Sequence, residues 1–82
     1  MKIIPEKRLF WYLKDDVELD LKDPFQLDMY VQQVLSHGKE EDIRTLMKMI
    51  EPDVFKKSFE RIKRYLPKEV RSFWEDGLGN TG

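Results

Sequence analysis

The chain has 82 residues, 15 of them Lys or Arg and 16 Asp or Glu, so that 38% are charged yet the net charge is only −1. That balance excludes the strongly basic composition of a non-specific nucleic-acid binder. A hydrophobic content of 40% at low net charge excludes a disordered chain, and the absence of cysteine removes disulfides and thiolate zinc sites.

The length sets one domain, which buries roughly 60 to 65% of its unfolded surface. Two Trp, three Tyr and five Phe supply dense packing to so small a core. The N-terminus has no apolar h-region and no apolar run approaches 18 residues, so neither a signal peptide nor a membrane span is expected. With no cysteine, the expected setting is the cytoplasm.

In chain order, Pro5 can open a short helix over EKRLFWYL. Asp15 and Asp16 then favour a turn. Val17, Leu19 and Leu21 alternate with Glu18, Asp20 and Lys22, which is a strand signal. A hairpin of LFWYL with VELDL rivals the short helix, and residues 9–22 stay open between the two. The preferred reading is a helix followed by an extended acidic linker. The acids Asp15, Asp16, Glu18, Asp20 and Asp23 lack the glycine and the closing glutamate of a helix–loop–helix calcium site.

The stretch DPFQ follows. Asp23 can cap, Pro24 suits the first helical position, and Gln26 can complete a capping box. Leu27, Tyr30, Val31, Val34 and Leu35 then recur on one helical face. Gly38 is placed to end this helix in a left-handed conformation. A second helix starts in KEED and carries Ile43, Leu46, Met47 and Ile50. Pro52 opens a third, with Phe55, Phe59, Ile62 and Leu66 inward. Pro67 stops it and starts a fourth, in which Val70, Phe73 and Trp74 face inward and which Gly77 ends. The expectation is an all-α fold: a compact bundle of four helices after a short N-terminal helix and the linker. Residues 1–76 form the single helical domain, and residues 77–82 a flexible tail.

No catalytic, metal or cofactor site is legible. The one histidine, His37, precedes Gly38 at a helix C-terminus, where a cationic ring suits the dipole. Ser36, Thr45, Ser58, Ser72 and Thr81 have no base beyond that histidine and no nucleophile elbow. No Gly-rich phosphate loop exists, because three of the four glycines fall in the last six positions. No enzyme and no cofactor are therefore expected.

Charge is split along the chain. Residues 1–55 carry 8 basic and 12 acidic side chains, whereas residues 56–82 carry 7 and 4. Lys57, Arg61 and Arg64 repeat on the third helix about 200° from the Phe55 stripe, and Lys68 and Arg71 extend them onto the fourth. This basic ridge is a solvated face or a patch for an acidic protein or for phosphates. The acidic half of a neighbouring copy could also pair with it, giving a homodimer. The second and third helices invite comparison with a helix-turn-helix. Lys56 and Lys57 can reach phosphate, but no Arg, Asn or Gln near the start of the third helix can read a base edge. Nucleic acid is thus possible and not favoured.

LFW near the start, an acidic leucine-bearing linker, YVQQVLSHGKEEDIRTLMK and a closing RSFW together resemble a family of small bacterial and archaeal helical proteins. The resemblance spans residues 9 to 75 and departs at Tyr12, where an acid is usual. It implies an all-α bundle without catalytic residues. It also implies an antitoxin-like role beside nucleotidyltransferase-like toxins of the abortive-infection type, and hence a protein partner. The recurring LFW and FW pairs imply that Phe10 and Trp11 pack near Phe73 and Trp74. Tyr12 and Leu13 are then left at the edge of a contact surface. The alternative function is a small helix-turn-helix-like DNA-binding regulator.

Overall fold

The DPFQ cap sets the first long helix. In a computed structural model, which describes residues 2–14 and 16–80 (side chains as far as Gly77), α1 spans Pro24–His37. The Asp23 carboxylate accepts the Phe25 N–H at 3.0 Å. Gln26 does not reach back to the Asp23 N–H to close a capping box. Its amide donates to the Asp23 carboxylate at 2.9 Å, and its carbonyl oxygen accepts the Asp20 N–H at 2.8 Å. The cap thereby holds the approaching strand as well as the helix.

Helices α2 (Glu40–Met49), α3 (Pro52–Ile62) and α4 (Lys68–Asn80) follow, with a 3-10 turn at Lys63–Tyr65 between the last two. Mostly helical architecture is thus as the periodicity implies. The α1 stripe of Leu27, Tyr30, Val31, Val34 and Leu35 is buried throughout. So are Leu46 of α2, Phe55, Phe59 and Ile62 of α3, and Leu66 beyond it. The most extensive contact between elements is that of α1 with α3. Pro67 disfavours helical backbone at Leu66, which has ψ 150°, and α3 tightens into the 3-10 turn before it ends.

Five expectations are corrected. Residues 6–13 form no helix. The N–H groups of Leu9 and Phe10 both reach the Glu6 carbonyl, and Leu13 reaches that of Phe10, but the ladder does not continue. A helix this short is marginal alone, and here the segment takes its partners from elsewhere. Gln33 donates to the Leu9 carbonyl at 2.7 Å, and Arg8 binds Asp42 at 2.8 Å. The rival hairpin is absent too. Leu19–Asp20 (β2) does form strand, but it pairs antiparallel with Lys2–Ile3 (β1), in register Lys2 to Asp20 and Ile3 to Leu19. The acidic segment is therefore partly a sheet edge, with Leu19 and Leu21 buried and Glu18 and Lys22 exposed. Asp15, expected in the turn, lies outside the described residues, as do Thr81 and Gly82 of the expected tail.

Gly38 is not left-handed. Its φ is −77° and its ψ 161°. What the position needs is room: a Cβ there would lie 2.5 Å from the Val34 carbonyl oxygen and 3.1 Å from the Asp42 Cβ. Finally, α4 does not end at Gly77 but continues to Asn80. Gly77 has helical neighbours and open space around it.

Candidate functional site

LFWYL divides between core and surface. Leu9 and Phe10 are buried, and the Phe10 ring stacks on Tyr30 with centroids 5.6 Å apart and planes 4° apart. Trp11 is 64% exposed and Tyr12 53%, their rings meeting edge to face at 5.5 Å. The expected closure of the two chain ends does not occur: among the described residues no ring pair joins Phe10 or Trp11 to Phe73 or Trp74. Trp74 is half-buried against Phe55 at 5.3 Å, while Phe73 is 69% exposed, not inward. The reason is angular. Consecutive residues of a helix point about 100° apart, so with Trp74 turned onto Phe55 the Phe73 ring projects to the side of that contact and stays exposed. A tight turn at Phe10 likewise sends the next two rings outward.

The basic ridge resolves into two groups. Arg61 is taken up by α1: its Nε lies 2.7 Å from Asp28 Oδ2 and its terminal nitrogen 2.8 Å from Oδ1. Arg71 approaches Glu75 at 3.5 Å, one turn along α4. Lys57, Arg64 and Lys68 are exposed and make no ion pair among the described residues. The Arg64 guanidinium lies 5.7 Å from the centroid of the exposed Tyr65 ring.

Beside the ridge stands an arrangement that periodicity did not reveal. Ser58 is fully buried on the core face of α3, and its hydroxyl donates to Asp28 Oδ1 at 2.7 Å. Burial acts against the Asp28 charge, but the Arg61 guanidinium and the Ser58 hydroxyl outweigh it and hold the carboxyl below its ordinary value. The same bond pushes Arg61 upward. One signal for this was available: Ser58 falls between Phe55, Phe59 and Ile62 on a core face, and a buried hydroxyl requires a partner. Its partner on another helix was not legible. Asp42 is a second depressed carboxylate, held down by the Lys39 N–H and then by Arg8.

Two clefts flank the Asp28–Arg61 pair. One, of about 410 Å³, is lined by Phe25, Met29, Gln32, Ile62 and Tyr65. Phe25, at 79%, is the most exposed of the large apolar residues among those described. The other, of about 330 Å³, has a floor of Leu21, Leu27 and Val54 and carries Lys22 and Lys57. His37 is exposed at the last position of α1. Among the described residues, no three acidic or histidine side chains group to hold a metal ion, and no helix is long and apolar enough to cross a membrane.

No protein-family model matches the chain, and no curated protein or solved structure matches it.

Proposed function

We propose that the chain is a non-catalytic module that binds a protein through the remaining cations of the ridge. The observation that carries this reading is the trio Lys57, Arg64 and Lys68. All three are exposed and free of ion pairs among the described residues, and Tyr65 stands exposed beside Arg64. Arginine and tyrosine are the residue types that anchor protein interfaces. Cations without internal ion pairs favour an acidic partner surface. A nucleotidyltransferase-like toxin, in the cytoplasm, is the partner class to test first, on the strength of the sequence resemblance. The antitoxin-like role is part of this proposal.

A tagged chain is used to capture partners from its own cells, with and without nuclease, alongside the Arg64→Glu/Lys68→Glu variant. The expected result is a stoichiometric nucleotidyltransferase that survives nuclease and is lost with the variant. Equal capture by the variant would refute the ridge as the contact. Recovery of DNA alone, abolished by nuclease, would favour the regulator reading. In that reading Lys56 and Lys57, exposed near the start of α3, contact phosphate.

A further inference from the structure

The first turn of α1 separates two clefts of opposite charge. On one side, Asp16, Glu18, Asp20 and Gln26 together with Lys2 line an open cleft of about 500 Å³ in which acids outnumber the one lysine. Asp16 and Glu18 are exposed and make no ion pair among the described residues. On the other side lies the groove of about 330 Å³ that carries Lys22 and Lys57. Those two lysines are equally without ion pairs among the described residues, and Arg61, the third cation there, is bound to Asp28. The two clefts share one stretch of chain. Asp20 and Lys22 are two residues apart, and the Lys22 N–H donates to the Asp20 carboxylate at 3.0 Å. Gln26 lines the acidic cleft, whereas Pro24 and Leu27 line the basic groove.

A surface on which two free anions adjoin two free cations is complementary to itself. In a two-fold interface the same patch of both copies meets, so each acidic cleft faces the other copy's basic groove. Each interaction is then formed twice, and the exposed Val54 side chain at the groove loses water in both copies. We propose that this face is a two-fold interface between copies of this chain, with Glu18 of each copy set against Lys57 of the other. The occupant of the groove is therefore a second copy. The contact overlaps the partner surface proposed above at Lys57 alone, because Arg64 and Lys68 line neither cleft. Lys57 belongs to both surfaces, and self-association leaves the other two cations available.

Sedimentation velocity of the full chain from 5 to 300 µM, at low and high salt, tests this. Association is expected at low salt and weakens in high salt, because surface charges are screened. Lys57→Glu and Glu18→Lys, both at exposed positions, should each weaken association about tenfold or more, and circular dichroism should show the fold retained. The double reversal Lys57→Glu/Glu18→Lys recreates the opposite pair and should restore association. A chain that stays monomeric throughout the range overturns the proposal. So does a dimer that ignores the single reversals, or a double variant that remains as weak as either single one.

Discussion

Asp28→Ala should be the most damaging replacement of a charged side chain. It removes three hydrogen bonds between α1 and α3, the pair of helices in most extensive contact. The Ser58 hydroxyl would be left without a partner at a fully buried position, which costs about 1–3 kcal/mol. Arg61 is 45% exposed in its side chain, so water screens its bond to Asp28 and the added loss is about 0.5–1 kcal/mol. Together the expected cost is about 2–4 kcal/mol. For a domain of this size each kcal/mol lowers Tm by about 4–8 °C, so the fall is about 8–32 °C. Thermal unfolding followed by circular dichroism measures it. A double-mutant cycle with Ser58→Ala isolates the hydroxyl bond, because the second substitution removes the stranded group. The pair should therefore be less than additive by about 1–2 kcal/mol. A Tm within about 2 °C of the parent, or a cycle that closes without coupling, would show that this bond does not bind α1 to α3.

Acid should act through the same carboxylate. The folded Asp28 and Asp42 titrate below their ordinary value, so their contribution to stability is complete above the unfolded value of about 3.9. It is lost as pH falls through the lower folded ones. Urea midpoints should thus be flat in this respect from pH 7 to 5 and fall below about pH 4, and Asp28→Asn should reduce that fall. Gly38→Ala sets a Cβ against the Val34 carbonyl oxygen and should destabilise by about 1–3 kcal/mol in urea unfolding. Gly77→Ala should do the reverse, adding about 0.5–1 kcal/mol, because the position is helical and open. A loss there would mean that Gly77 caps the helix after all. Phe10→Ala should cost about 3–5 kcal/mol. Trp11→Phe, one residue on, should change stability by less than about 0.5 kcal/mol while shifting the mean fluorescence emission to the blue, since the half-buried Trp74 then emits alone.

The helical core was legible because its signals are local. Leu27 through Leu35 repeat with the period of a helix, and a single amphipathic face has one place to go. Pro24, Pro52 and Pro67 punctuate the elements by covalent geometry alone. Of the N-terminal twenty residues only the strand signal at Leu19 was legible, for a physical reason. Their structure is set by partners distant in sequence: Gln33 for the Leu9 carbonyl, Asp42 for Arg8, and Lys2–Ile3 for β2. The ridge shows the same limit. Helical spacing places Lys57 and Arg61 on α3, but Arg64, expected on the same helix, falls in the 3-10 turn Lys63–Tyr65 that follows it, and whether each charge is free depends on what α1 presents, where Asp28 claims Arg61. Nor does the sequence contain a rule that divides Trp11 from Phe10. Only the turn bonded to the Glu6 carbonyl turns one ring inward and the next outward.

No described residue has a positive φ, glycine included. Every bend between helices is therefore built from backbone states that any L-residue enters at little cost. Handedness places no veto on mutation in these loops. What restricts a position is the space beside it, as at Gly38, or the bond it must accept, as at Asp28. Connecting residues with open space beside them can therefore be exchanged at little cost in stability, whereas Gly38, at the corner between α1 and α2, is fixed by what it touches.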